Sequence, residues 1–300
     1  MIKQIIGLEH YINEKASSIC IGTFDGFHLG HQALVKHSEF MLTFNPHPKS
    51  ILYPKMPIER LTFPDEQRYF FPNQLIIPFT KTVADMPAIE FLNEFIAPLN
   101  PHKITIGDDF KFGKNGHGNP TLLKNWGHQN NCSIITLDIQ THSNKTPYKS
   151  SIIRKTLKED PNTALEYLGH PYLISGTVVQ GKKRGKTIGF PTANLAVPPH
   201  KCLPKFGVYS SHAIIENKHY PAITNIGKNP TFNQTHPTIE THILNGFSDN
   251  IYNKNIMVLL HKFIRNEQPF QSEQELKNQI KKDINTATIT HQTLPLQAPI

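Results

Sequence analysis

Short β-branched and apolar runs alternate with helical periods over the first half of the chain. Ser18-Ile19-Cys20-Ile21, Met41-Leu42-Thr43-Phe44, Gln74-Leu75-Ile76-Ile77-Pro78, Lys103-Ile104-Thr105-Ile106 and Ser133-Ile134-Ile135-Thr136-Leu137 predict strands. Helical patterns run between them, notably Ala88 to Ile96 and Pro120 to Trp126. Strand and helix repeated in this way predict a parallel sheet in an α/β domain, where ligands bind beyond the C-terminal strand ends. Three turns follow strands and are expected to converge there: Gly22-Thr23-Phe24-Asp25-Gly26, Asn45-Pro46-His47-Pro48 and Gly107-Asp108-Asp109-Phe110.

Helical patterns from Ser151 to Leu168 close this half, and Gly169-His170-Pro171 breaks the chain. The pattern then changes to strands: Tyr172 to Val179, Gly207 to Ile215, Tyr220 to Ile226, Thr238 to Leu244 and Asn255 to Ile264. Alternation and turn residues at short spacing predict an antiparallel barrel or sandwich. A helix from Ser272 to Ile284 follows, and the tail from Ala287 is expected to fray. The expected division is 1–168, 169–290 and a disordered tail 291–300.

Composition narrows the class. The chain of 300 residues, 38% hydrophobic and 9% aromatic, is long enough for two globular cores. No apolar run approaches the ~20 residues a membrane span needs. Residues 1–7 lack a signal-peptide pattern, so a cytoplasmic location is expected. Cys20, Cys132 and Cys202 are far apart and odd in number, which predicts reduced, buried residues rather than disulfides or a zinc site. A net charge of +8 invites a nucleic-acid partner, yet the basic residues are spread out and do not alternate with aromatics. Small anionic substrates explain the excess equally well, and neither a nucleic acid nor a membrane is expected as partner. Self-association stays open.

The decapeptide Gly22 to His31 follows a strand and leads into a helix, the geometry that aims backbone N–H groups at phosphate. His28 and His31 are three apart and share a face if the helix has begun by His28. Two imidazoles there can neutralise a triphosphate while its α-phosphorus is attacked, chemistry that needs positioning rather than a nucleophilic side chain. Either histidine alone reads more readily as a capping or partly buried residue; the pair with two glycines and an Asp points to phosphate binding.

A second stretch, Gly181 to Leu195, opens with Gly181, Lys182, Arg184 and Gly185, a mobile basic loop able to wrap a polyphosphate without Walker A spacing. Thr192 and Asn194 are two apart, so on an extended segment both oxygens face one side and suit Mg²⁺ with phosphates and water. Glu240 alternates with apolar neighbours. It reads as a general base in a barrel mouth or, equally, as a solvent-facing residue on an exposed sheet face.

Together these motifs resemble the bacterial bifunctional riboflavin kinase/FAD synthetase family, from about Ser17 to Ala287. The first half carries GTFDGFHLGH, FNPHP, GDDFKFGKNGHGN and SSIIR; the second carries GKKRGKTIGFPTANL, GVYS, NIGKNPTF, IETHIL and Arg265-Asn266-Glu267. The resemblance implies a Rossmann-like α/β nucleotidyltransferase domain, then a mainly antiparallel β-barrel riboflavin kinase domain with a C-terminal helix. It implies phosphorylation of riboflavin to FMN in the second domain and adenylylation of FMN to FAD in the first, with ATP as co-substrate and Mg²⁺ for both.

By motif match, His28 and His31 would stabilise the triphosphate, with Gly22, Phe24 and Asp25 shaping the nucleotide pocket. Ser150, Ser151, Arg154 and Asp109 would meet phosphates and reacting ligands, and Pro46, His47 and Pro48 would border the flavin. Thr192 and Asn194 would ligate Mg²⁺–ATP, Glu240 would be the base, and Gly181, Lys182, Arg184 and Gly185 would form a flap. Arg265 would lie near the flavin end. The chain departs from the pattern in three places, one of them a somewhat compressed stretch from Arg60 to Pro78. His31 to Asn45 is short by two or three helical turns, and Lys149 and Ser151 stand where the family has Ser and Thr. The shortening motivates an alternative: a riboflavin kinase with an impaired adenylyltransferase domain.

Overall fold

The computed structural model describes residues 17–56, 58–181, 184–228, 237–244, 247 and 249–293. It divides into two compact units, one ending at Ser150 and one beginning at Ser151.

The first unit contains β1 (Ser18–Ile21), α1 (Leu29–Val35), β2 (Phe40–Asn45), α2 (Pro48–Leu52), α3 (Pro64–Phe70) and β3 (Gln74–Pro78). It continues with α4 (Lys81–Ala84), α5 (Ala88–Phe91) running on as a π-helical turn Leu92–Ile96, β4 (Lys103–Gly107), α6 (Pro120–Gln129) and β5 (Ser133–Leu137). The five strands form one parallel sheet in the order β3-β2-β1-β4-β5. Its buried positions (Ile19, Ile21, Phe40, Leu42, Leu75, Ile77, Ile104 and Ile106) pack with Phe91, Phe95, Ile96, Leu123 and Trp126 from the helices. A parallel sheet buried on both faces accounts for the continuous apolar runs in its sequence. Since β1, β2 and β4 are adjacent parallel strands, the three turns that follow them line the C-terminal end of the sheet, and the strand order reverses between β1 and β4.

Helix α1 lies in the stretch read as two or three helical turns short, and the sheet beside it is whole. Its seven residues bury Leu34 and Val35, worth roughly 1.5–3 kcal/mol each, and Gln32 Nε2 donates to Phe27 O at 2.9 Å. Glu39 N then donates to Ser18 O at 3.0 Å, and β2 pairs with β1 from Ile19 opposite Phe40. The helices α2, α3 and α4 went unpredicted. Each has seven residues or fewer, too short to show a 3.6-residue period, and the first two open on proline.

The second unit opens with α7 (Ser150–Glu159), whose first residue belongs to the first unit, and α8 (Pro161–Leu168). There follow β6 (Tyr172–Val179), α9 (Arg184–Thr187), β7 (Ala193–Ala196), β8 (Gly207–Ile215), β9 (Lys218–Lys228), β10 (Pro237–Ile243), β11 (Asn255–Arg265) and α10 (Glu273–Thr293). The strands close into a barrel in the order β10-β7-β6-β11-β8-β9, every pair antiparallel. Of the two predicted β architectures, the barrel is the one formed. Two expectations are corrected. Helix α10 runs nine residues past Ile284, burying Ala287 and Thr290, so the segment expected to fray from Ala287 is helical to Thr293. The basic loop holds a helical turn, Arg184–Thr187. Residues 294–300 and Lys182 lie outside the described residues.

Candidate functional site

In the first unit the candidate site grows from the turn after β1. Gly22 N donates to Leu42 O at 3.1 Å, and the backbone then passes through positive φ at Phe24 (48°), Gly26 (89°) and Phe27 (43°). Two bulky residues in this region are strained, and burial of both rings offsets the strain: Phe24 and Phe27 are 0% exposed, and Phe27 stacks on Phe70 at 5.6 Å. The tight turn delivers the two histidines. His28 is the extended N-cap of α1 (ψ 169°), so the helix has not begun there, yet its ring stacks on that of His31 with centroids 3.6 Å apart. A Cβ at Gly30 would sit 3.2 Å from His28 Nδ1, so glycine there leaves room for the ring. Burial, and then the neighbouring His28, hold His31 well below the ordinary imidazole pKa. The ring is therefore neutral at rest. Its Nδ1 has no hydrogen-bond partner among the described residues.

Asp25 is fully buried and turns inward, accepting from Thr62 N at 3.0 Å, while its carbonyl accepts from Ser150 Oγ at 2.8 Å. Phe24 likewise packs inside, its ring 5.2 Å from that of His31. Both residues shape the turn from beneath. Asp109, from the turn after β4, meets Lys149 Nζ at 3.5 Å; both are largely exposed. Ser151 and Arg154 follow Ser150 on α7. At the turn after β2 the Asn45–Pro46 peptide is cis. His47 is buried and caps α2 by accepting from Lys49 N at 3.2 Å, and Pro48 is the first helical residue.

In the barrel unit the second constellation comes together through strand register. Glu240 on β10 lies opposite Asn194 on β7 and opposite Asn225 on β9. Asn225 is opposite Val208, which is opposite Arg265. Directly paired residues share a face, so Asn194, Glu240 and Asn225 form one polar row. Thr192 Oγ1 donates to Glu240 Oε2 at 3.4 Å. The flap glycines explain themselves by contact: a Cβ at Gly181 would lie 2.2 Å from Asn194 Nδ2, and one at Gly185 would lie 2.3 Å from Phe190 O and 3.4 Å from Thr192 Oγ1. Arg265 is held by Asp283 of α10 through Nε (3.0 and 3.1 Å) and Nη2 (2.7 Å), and its remaining bond goes to Asn266 O.

Two supporting residues were not singled out from sequence. His242, two residues beyond Glu240, approaches Pro191 O through Nδ1 at 2.7 Å and so holds the backbone just before Thr192. Glu267 accepts from Asn225 Nδ2 at 3.3 Å. Both lie inside quoted motifs, His242 in IETHIL and Glu267 in Arg265-Asn266-Glu267, but neither was given a role of its own.

The chain matches the FAD synthetase family model over residues 11–151 and the riboflavin kinase family model over residues 168–290. It is 37% identical, over 89% of its length and 92% of the relative's, to the bifunctional riboflavin kinase/FMN adenylyltransferase of Buchnera aphidicola subsp. Schizaphis graminum (strain Sg). The protein of the same name from Bacillus subtilis (strain 168) is 32% identical over 91% of this chain and 93% of that one. Among solved structures, one described as a macrolide-efflux protein from Streptococcus pneumoniae is similar with a TM-score of 0.78 and 29% identity, covering 92% of this chain and 95% of its own. Among the described residues no helix is long and apolar enough to cross a membrane. Both domain models match in order, the adenylyltransferase one across the shortened α1, which favours two domains of the family over a kinase alone. The chain belongs to the bifunctional riboflavin kinase/FMN adenylyltransferase family.

Proposed function

We propose that the barrel unit transfers the γ-phosphoryl group of ATP to riboflavin, giving FMN and ADP. The α/β unit then transfers AMP from a second ATP to the FMN phosphate, giving FAD and diphosphate. What carries the reading is that each unit gathers its own chemical set: Thr192, Asn194 and Glu240 by register in one, the stacked His28 and His31 in the other.

In the barrel, Glu240 accepts the proton of the ribityl hydroxyl as it attacks the γ-phosphorus. The Thr192 hydroxyl and Asn194 carbonyl are neutral oxygen donors of the kind Mg²⁺ takes alongside phosphate oxygens, and the Gly181 backbone lies directly over the Asn194 amide. A bound Mg²⁺ would supply charge neutralisation on the polyphosphate. Gly181, Lys182, Arg184 and Gly185 cover the phosphates, and Arg265 stands at the flavin end.

In the α/β unit, His28 and His31 meet the triphosphate of the second ATP. An imidazole held neutral by burial regains its proton when phosphate charge arrives, so the pair gains positive charge where the transition state needs it. Ser150 and Asp109 hold the nucleotide's phosphates and reacting ligands, and Pro46, His47 and Pro48 border the flavin. Both reactions take place in the cytoplasm, in keeping with three buried cysteines that stay free.

The test separates the two activities in one protein. Glu240→Gln lowers riboflavin phosphorylation at least ~100-fold and leaves FAD formation from FMN and ATP intact, while His28→Ala does the reverse. Equal loss of both activities in either variant would refute the division of roles.

A further inference from the structure

Between the two substrate turns of the α/β unit lies a buried segment, Arg60-Leu61-Thr62, that belongs to neither. Its exposures are 6%, 0% and 1%. Thr62 is bonded to the turn after β1 three times over: its N donates to Asp25 Oδ1 (3.0 Å), its Oγ1 accepts from Gly26 N (2.8 Å), and the same Oγ1 donates to Phe24 O (3.4 Å). Leu61 fills the space beside Gly26, where a Cβ would meet its Cδ1 at 2.7 Å. Two residues back, Arg60 Nη1 donates to Asn45 Oδ1 at 3.1 Å, at the head of the Asn45-Pro46-His47-Pro48 turn.

Arg60 is an unusual residue for so dry a place. Its Nε and Nη2, the side-on fork of the guanidinium, have no hydrogen-bond partner among the described residues, and its ring neighbour is Phe63 at 5.0 Å. Burying a guanidinium with its fork unpaired is costly. Among the described residues the Asn45 bond is the one hydrogen bond of its guanidinium, and the carboxylates of Asp25 and Glu66 favour its charged form against burial.

We propose that Arg60-Leu61-Thr62 is a clamp that makes the ATP-side turn (Phe24 to Gly26) and the flavin-side turn (Asn45 to Pro48) move as one, so that each substrate of adenylyl transfer raises the affinity for the other. Arg60 is the positioning residue for the flavin-side turn and Thr62 for the ATP-side turn. The proposal rests on the assignment of adenylyl transfer to this unit. The bonds join both turns to a single three-residue element, and a ligand that fixes one turn thereby removes freedom the other ligand would otherwise have to remove.

The experiment is an initial-rate matrix of FAD formation from FMN and ATP with the full chain. It is run on wild type, Arg60→Met and Thr62→Val, with riboflavin phosphorylation and thermal melting followed in parallel. Wild type shows a KM for FMN that falls at least ~5-fold between low and saturating ATP. In Arg60→Met the KM for FMN becomes independent of ATP, while kcat at saturation stays within ~10-fold and riboflavin phosphorylation is unchanged. Thr62→Val, nearly isosteric, loses the same coupling with the Arg60–Asn45 bond intact. A purely structural Arg60 would lower the melting temperature and the active fraction but leave the ATP dependence of KM as in wild type, and that result overturns the clamp. So does a wild-type KM for FMN that ignores ATP. Wild type making no FAD at all would instead refute the assignment of adenylyl transfer to this unit, and the clamp with it.

Discussion

Acidification is expected to unfold the barrel unit through a histidine cluster remote in sequence from Glu240. His212 on β8 bonds His261 on β11 through Nδ1 and Nε2 at 2.8 Å, and His291 of α10 lies over both, 4.4 Å from the first ring and 6.1 Å from the second. His219 on β9 also acts on His212 and His261, and Ser210 Oγ meets His291 Nε2 at 3.0 Å. Burial first, and the neighbouring imidazoles second, push His212 down to about 4 and His261 to about 3; burial also lowers His219 and His291. The folded-state pKa values lie below the unfolded value of about 6.5, so between those limits the unfolded chain binds more protons. Stability is therefore full above about pH 6.5 and falls as the pH drops towards 4.

For one imidazole shifted this far, going from pH 7.5 to 5.0 removes roughly 2 kcal/mol, so His212 and His261 together remove about 4 kcal/mol. That is a large part of the stability of a typical domain. The single tryptophan, Trp126, lies in the other unit, so its fluorescence would miss the event. Amide hydrogen exchange across β8 and β11, corrected for intrinsic rates at each pH, reads it directly. In His261→Gln one titrating group is gone and an amide keeps the bond to His212, so the loss should fall to about 2 kcal/mol. Barrel protection that changes by less than about 1 kcal/mol in wild type would refute the reasoning, as would a pH slope in His261→Gln equal to that of wild type.

Further outcomes follow from the same geometry. Asp283→Ala leaves the Arg265 guanidinium without its carboxylate and should destabilise the barrel by about 3 kcal/mol in urea unfolding. An effect under about 1 kcal/mol would mean the pair is readily replaced by water. Gly181→Ala places a Cβ within 2.2 Å of the Asn194 amide, so riboflavin phosphorylation should lose at least ~10-fold in kcat/KM while FAD formation from FMN is unchanged. Unaltered kinase kinetics would show that the loop shifts freely. Gly26→Ala combines φ of 89° with a Cβ 2.7 Å from Leu61 and should cost the α/β unit about 1–3 kcal/mol, visible in Trp126 fluorescence during denaturation. A melting curve like that of wild type would count against the strain.

What the sequence determined by itself was local and periodic. Gln74 to Pro78 and Ser133 to Leu137 are strands from end to end, as their β-branched and apolar runs predict; the first is buried from Gln74 to Ile77, and the second, at the edge of the sheet, is only partly covered. His28 and His31 lie together, their rings stacked at 3.6 Å, because neighbours in sequence are held together by the backbone itself. Tertiary structure decided what depends on residues far apart. Only the sheet order shows that the stretch after His31, read as two or three helical turns short, returns Phe40 opposite Ile19. Only barrel register takes Glu240 from either of its two sequence readings and sets it between Asn194 and Asn225. Asp25, which a turn motif offers to the ligand, is claimed by Thr62, and Arg265 is claimed by Asp283, partners 37 and 18 residues away. No window of sequence contains such pairs. Which polar groups are buried together, and must therefore bond to each other instead of to water, is settled only when the chain has closed on itself.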